Sequence, residues 1–393
     1  MIGGREPGGF GAAARGLQAQ VDASTLDERP GWGASSRLAA PGGPIEPGRE
    51  AGRSMMRDLA LLPKAHLHLH FTGSMRMATL LELADQQGIR MARGLAEPAA
   101  MHLSPDERGW FRFQRLYDSA RQAVRGEAAM RRIVREAALD DAAEGSGRLE
   151  LQIDPTSYAP HVGGITPALE IVMDEARAAS AATGVEVALV VAASRLRHPL
   201  EARTLARLAV RHAGDGPGQV VGFGLSNDER RGDTDEFAPA FAIARAAGLA
   251  AVPHGGELLG PDHVHRLVRS LKPDRLGHGV RAIEHPAVMR ELVADGIVLE
   301  LCPLSNVALG IYPGPAAVPI RPLLEAGAQV TLNADDPLVF GSRLLAQYEM
   351  LRLVHGFSDA ELAGLAACSV RASRARDATK RRLLDGIGRW LAR

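Results

Sequence analysis

The sequence predicts an α/β fold: a (β/α)8 TIM barrel with extra helices inserted after the first strand and at the C-terminus. Short apolar or β-branched runs alternate with longer amphipathic stretches, an order that demands parallel strands joined by crossover helices. About eight such units within roughly 250–340 residues suit a closed barrel better than an open sheet. Histidines and acidic residues also fall at the ends of several runs, where a barrel of this type gathers its functional groups.

Taken in order, residues 1–54 stand apart. They are rich in Gly, Pro, Arg and Ala, with Pro41, Pro44 and Pro47 breaking any periodicity. A segment that buries no apolar surface does not recover its ordering entropy, so a disordered N-terminal extension is expected, or an over-called start with Met55 or Met56 as the true beginning. Residues 55–393 are expected to form a single barrel domain.

The first strand, Ala65–His70, alternates apolar residues with histidine. A long helical insert, Met75–Ala143, follows it and contains WFRFQRLYDSA. There Phe111, Phe113, Leu116 and Tyr117 read as the buried face of a helix or as an apolar lid over one barrel end. The remaining strands are expected at Arg148–Asp154, Val185–Val191, Gln219–Leu225, Ala250–His254, Arg275–His278, Ile297–Leu301 and Gln329–Asn333. Helices are expected between them at Pro167–Ala182, Leu200–His212, Glu236–Ala247, Pro261–Ser270 and Pro286–Ala294. Ser358–Arg393 reads as two further helices, the last one basic.

Hydrophobic residues make up 46% and charged residues 23%, which provides for a sizeable core. Lys+Arg and Asp+Glu both number 46, so the balance leaves no electrostatic footprint for nucleic acid or an anionic membrane. Two cysteines, Cys302 and Cys368, exclude a disulfide framework and a cysteine-built zinc site. No apolar run reaches the ~20 residues of a membrane span, and the N-terminus does not read as a signal peptide. A cytoplasmic protein with a small-molecule substrate is expected, with neither nucleic acid nor membrane as partner and the oligomeric state left open.

The most informative segment is Pro63-Lys-Ala-His-Leu-His-Leu-His-Phe-Thr-Gly73. Alternate side chains of a strand share a face, so His66, His68 and His70 are expected to point the same way. Such a row is either a hydrogen-bonded histidine strand or a metal site, since neutral imidazole is a good zinc ligand. His254-Gly-Gly-Glu257 ends the fifth expected strand, His278 ends the sixth in RLGHG, and Asp335-Asp336 ends the eighth in TLNADDP. Each alone has a bland reading as a turn, a helix start or a core histidine. Their agreement at strand ends favours one shared site.

As a set, PKAHLHLHFTG, HGGE, RLGHG, CPLSN and LNADDP resemble the adenosine deaminase family of zinc-dependent amidohydrolases, in that family's order. The resemblance implies one zinc ion per subunit, held by His68, His70, His254 and Asp335 with a water. Gly73 sets the register that selects His68 and His70, and leaves His66 structural at a position where the family usually has Glu. The catalytic group would be Glu257, His278 and Asp335. Zinc lowers the pKa of its water towards neutrality; His278 and Asp335 would orient that water and take its proton. Glu257 would protonate N1 of an adenine-type ring, and Asp336 would bond N7. Glu257 must then be kept protonated by burial, and Asp336 must be protonated too unless the purine brings the proton. Attack at C6 would release ammonia and leave a 6-oxopurine.

Two departures from the family bear on the substrate. Thr72 stands where adenosine deaminases carry Asp and adenine deaminases usually Glu, so a charge-assisted bond at the sugar end is replaced by a weaker one. In Phe-Gly-Leu-Ser-Asn-Asp-Glu229, against the family's D-L-x-G-x-E, Asn227 replaces the glycine whose N–H faces purine N3, and Gly224 replaces an aspartate. Substrate-binding roles are therefore assigned to Asp336, Thr72, Asn227 and Gly73. The expected substrate is adenosine or a 5′-modified adenosine, with 6-amino-6-deoxyfutalosine as the specific alternative; free adenine is disfavoured because the Glu of that subgroup is missing. Arg148–Asp154 lies where the family has V-E-V-R, which makes Glu150 structural, and Ser305 and Asn306 are expected to buttress the loop after strand seven. A cytidine-deaminase-type zinc site is rejected because no C-x-x-C occurs. Rival readings are a metal-dependent hydrolase for a non-purine substrate and a barrel that binds nucleoside or zinc without turnover.

Overall fold

In the computed structural model the described residues are 56–91, 93–95 and 102–393, so the expectation for residues 1–54 lies outside them. The strands are β1 (Lys64–His70), β2 (Ser146–Ile153), β3 (Glu186–Ser194), β4 (Val220–Ser226), β5 (Ala250–Gly255), β6 (Arg275–His278), β7 (Val298–Leu301) and β8 (Gln329–Leu332). All neighbours pair in parallel and in chain order. Nearly every strand residue is buried, because helices cover the outside and side chains fill the inside. The circle closes where the His70 N–H donates to the Asp335 carbonyl at 3.0 Å and the Asp335 N–H to the His68 carbonyl at 3.1 Å. The fold is the expected (β/α)8 barrel.

Boundaries move where side chains carry little strand signature. β3 runs on from Val191 through Ala192-Ala193-Ser194, because those small residues pair with Gly224, Leu225 and Ser226 of β4. The helix expected at Glu236–Ala247 becomes a 3-10 turn, Thr234–Phe237, followed by an α-helix, Ala238–Ala246, with Pro239 in its first turn. The insert holds helices at Met77–Gln86, Glu107–Gln122 and Glu127–Ala143. Asp106 caps the second of these, accepting from the N–H groups of Arg108 and Gly109, both at 3.0 Å. That helix buries Phe113 and Leu116 and leaves Phe111 exposed, so only part of the expected apolar face is covered.

The floor of the barrel is ionic. Arg275 donates through Nε to Glu300 and through Nη2 to Glu150, both at 2.6 Å, and Arg148 reaches the other oxygen of Glu150 at 3.0 Å. All four side chains are fully buried or nearly so. The C-terminal helices, Asp359–Ala372 and Asp377–Ala392, seal this end: Arg275 donates to the Ala372 carbonyl at 3.0 Å, and the Arg374 N–H donates to Glu150 at 2.6 Å. Burial alone would raise the Glu150 pKa, but Arg275 and Arg148 bring it down to about 2. The contribution of Glu150 to stability is therefore present at neutral pH and is lost as pH falls from about 4.5 towards 2. Replacing Arg275 with Ala leaves Arg148 as the cationic partner of Glu150 and only the His68 ring for Glu300, and is expected to cost about 3–5 kcal/mol. Urea unfolding at pH 7 measures this, and an unchanged midpoint would show that the floor contributes nothing.

Candidate active site

The C-terminal ends of β1, β5, β6 and β8 bring His68, His70, His254, His278 and Asp335 together. His66 does not join them. Its Nδ1 pairs with Asp141 of the helix Glu127–Ala143 at 3.0 Å, and its Nε2 accepts from the Ala334 N–H at 3.1 Å. The expectation that all three histidines share one face fails because β1 is irregular. Its register against β2 shifts between His66 and Leu69, and the successive N–H groups of Leu67 and His68 both donate to Asn333 Oδ1, at 2.8 and 3.1 Å.

Backbone strain concentrates here. Among the described non-glycine residues with positive φ are Asn227 (81°), His278 (63°) and Asp335 (63°), three site positions held in a left-handed conformation. Asn tolerates that conformation better than other L-residues, which accounts for Asn227 standing where the family has glycine. Its side-chain oxygen also accepts from the Asp228 N–H at 2.8 Å.

The cluster suits a metal ion. His70 Nε2 lies 3.1 Å from His254 Nε2 and 3.2 Å from Asp335 Oδ1, and His68 Nε2 lies 3.5 Å from the same oxygen. Ligands bound at 2.0–2.1 Å in a tetrahedron are separated by about 3.3 Å. Ligand atoms of His68, His254, His278 and Asp335 all lie within 4.8 Å of one another, as do those of His70, Asp335 and Asp336. His68 Nε2, His254 Nδ1 and both nitrogens of His278 are buried without a hydrogen-bond partner. Burial lowers the pKa of His70, of His254 and of His278, the last to about 3, so these imidazoles are neutral and offer lone pairs. Burial would also lower His68, yet the neighbouring carboxylates of Asp335 and Glu300 lift it to about 9, which marks the site as one that attracts positive charge.

Supporting groups set these side chains. Glu300 Oε2 holds His68 Nδ1 at 2.9 Å, leaving Nε2 to face the cluster, and links it to the ionic floor through Arg275. Ser305 donates to Asp335 Oδ2 at 2.6 Å. Arg195 donates to the His254 carbonyl at 2.7 Å. The Glu229 carboxylate accepts from the N–H groups of Glu257, Leu258 and Leu259 at 3.1, 3.1 and 2.8 Å and so fixes the turn that carries Glu257. Sequence reasoning assigned no role to Glu300, Arg275, Arg195 or Glu229. The available signal was a charged residue inside an otherwise apolar strand, as in RLGH and VLEL.

A cavity of about 360 Å³ opens over the cluster. Glu257, Asp336, His278 and Asn227 line it, with Ala192 and Ser226 on one wall and Trp110, Phe113 and Tyr117 of the insert across it. Glu257 Oε1 lies 3.6 Å from His278 Nε2. Burial, reinforced by Asp335, Glu229 and Asp336, raises the Glu257 pKa well above the ordinary value; burial and Asp335 do the same for Asp336. Both carboxyls are thus held as acids.

Two residues assigned to the substrate stand behind the cavity wall. A Cβ on Gly73 would fall 1.8 Å from Asp336 Oδ1, so the glycine makes room for that carboxyl. Thr72 is fully buried, with its hydroxyl bonded to the hydroxyl of Tyr158, which does line the cavity. The outer part of the cavity is polar, with Asp118, Arg121, Asp154 and Ser157.

Known proteins resemble this chain. The adenosine deaminase family matches residues 63–390. The "Putative adenosine/adenine deaminase" of Streptomyces virginiae is 58% identical over 337 residues, covering 85% of this chain and 98% of that protein. The adenine deaminase of Sinorhizobium fredii is 35% identical, covering 84% and 99%. The crystal structure of the adenine deaminase from Arthrobacter aurescens superposes with a TM-score of 0.77 at 29% identity, covering 84% of this chain and all of that one, 100%. With a matched region that spans every strand of the barrel and every residue of the cluster, the chain belongs to the adenosine deaminase family.

Proposed function

We propose that the protein hydrolytically deaminates an adenine-bearing substrate at C6, releasing ammonia, with one zinc ion per subunit held by His68, His70, His254 and Asp335. The observation that carries this reading is the pair of buried acids, Glu257 and Asp336, lining the same cavity as the histidine cluster. Zinc at this cluster would supply Lewis acidity and a water activated at neutral pH.

The protein's own groups do the rest. The base lies between the two acids. The protonated Glu257 carboxyl donates to N1, so that electron density leaves C6 as the water oxygen approaches. The protonated Asp336 carboxyl donates to N7, which has only a lone pair to offer. His278 and Asp335 orient the water, take its proton and pass it to the C6 amino group, which leaves as ammonia as the C6–N bond breaks. N1 keeps the proton from Glu257, which regains one from the adduct's hydroxyl as the C6 carbonyl forms, and the Asn227 N–H faces N3. Simple ester or amide hydrolysis would need neither acid, which argues against a non-purine substrate.

For the part beyond the base, the polar outer cavity supports an adenine nucleoside. With Thr72 bonded to Tyr158, that position offers no carboxylate to a free 5′-hydroxyl, which keeps a 5′-modified nucleoside, aminodeoxyfutalosine included, beside adenosine. Free adenine is the second reading, favoured by the adenine deaminases among the relatives.

Glu257→Gln should retain a full zinc complement while kcat falls by about 10²–10⁴; deamination at the wild-type rate would remove Glu257 from its role. His68→Ala should purify without zinc, and a stoichiometric ion in that variant would refute the ligand set. Glu300→Gln frees the His68 ring and should weaken zinc binding by about 10–100-fold in competition with a chelator.

A further inference from the structure

We infer that Gln152 is a specificity-determining residue whose carboxamide binds the substrate on the side of the adenine ring remote from the amino group. This rests on the deaminase reading above. Four cavity-lining side chains carry buried polar atoms without a partner: His254, His278, Asp336 and Gln152. The first three have places in the proposed chemistry. Gln152 has none, yet both its Oε1 and its Nε2 are unpartnered while the residue is 1% exposed. A buried amide left so costs stability, and such a cost persists where a ligand repays it.

The wall around it offers no protein partner. Gln152 pairs in register with His70 on β1 and with Val190 on β3, and its own carbonyl is used by the Phe71 N–H at 2.8 Å. Farther round, Ala192 lines the cavity and pairs with the side-chain-free Gly224 on β4, where an added Cβ would meet Ala192 Cβ at 3.4 Å. Asp154, next on β2's cavity side, is engaged by Thr156. The inward residues of β2 thus change role along the strand: Arg148 and Glu150 belong to the floor, Gln152 to the cavity.

A carboxamide presents a donor and an acceptor side by side, so its ligand must do the same. On an adenine-bearing substrate this chemistry has two sources, the N9–H edge of the free base, with N3 shared with the Asn227 N–H, and a ribose hydroxyl.

The experiment compares wild type with Gln152→Met and Gln152→Glu on adenine, 9-methyladenine, adenosine and 2′,3′-dideoxyadenosine. Gln152→Met should raise KM about 10-fold on the substrate that carries the paired group, with kcat changed less than threefold, and should not affect the analogue that lacks it. Gln152→Glu, buried in the same cavity as Glu257 and Asp336 and so held as an acid, keeps the shape with one O–H donor and one acceptor and should lose less than Gln152→Met. Loss confined to adenine over 9-methyladenine assigns the base edge, and loss confined to adenosine over its dideoxy analogue assigns the sugar. Equal ratios across all four compounds overturn the inference while leaving the deaminase reading intact. If wild type turns over none of these and no 5′-modified adenosine either, the deaminase reading fails; calorimetric Kd values for the same compounds then carry the test, and values unchanged by Gln152→Met overturn the contact.

Discussion

The site depends on one buried contact, that between Glu300 and His68. It fixes which imidazole nitrogen carries the proton and turns the other towards Asp335 and the neighbouring histidines. Glu300 is fully buried, and Arg275 makes that burial tolerable by bridging it to Glu150. The ionic floor and the histidine cluster are therefore one structure. Charge balance at the bottom of the barrel decides ring orientation at the top. Buried ion pairs are weak contributors to net stability, but once one member is present the others are obligatory.

A second constraint is the shape of the strand ends. Asn227, His278 and Asp335 hold left-handed backbone conformations, and each aims a functional atom into the space above the barrel. Such conformations persist only where the surroundings over-determine them. The surroundings are visible: Asn333 pins β1 through two N–H groups, Ser305 holds Asp335, and Glu229 holds three N–H groups of the Glu257 turn. Rigid support of this kind keeps acids and imidazoles in place before substrate arrives, which is where electrostatic catalysis gets its advantage.

The cavity also shows how an altered residue can act indirectly. Thr72 stood out in the sequence as a neutral replacement at the sugar end, but its hydroxyl is turned to Tyr158, and Tyr158 meets the cavity. Gln152, a quiet position in a strand whose Glu150 read as structural, is the one that presents an unpartnered amide to the same space. Specificity in such a site is read by whichever polar atoms remain unsatisfied in the protein alone.

Much of this was legible in the chain. Strand order, the extra helices and the grouping of His68, His70, His254, His278, Glu257 and Asp335 follow from local patterns, because a parallel barrel places every strand end on one rim. What sequence could not supply were contacts that depend on distance across the barrel. The diversion of His66 to Asp141 turns on a one-residue irregularity in β1, and a strand's alternation flips at such a point without a sequence marker. The partnership of Glu300, Arg275 and Glu150 joins three strands, and the held-back protons of Glu257 and Asp336 arise from burial among like charges. Local pattern determined which residues face inward at the rim; only the closed barrel decided which of them meet, and with what charge.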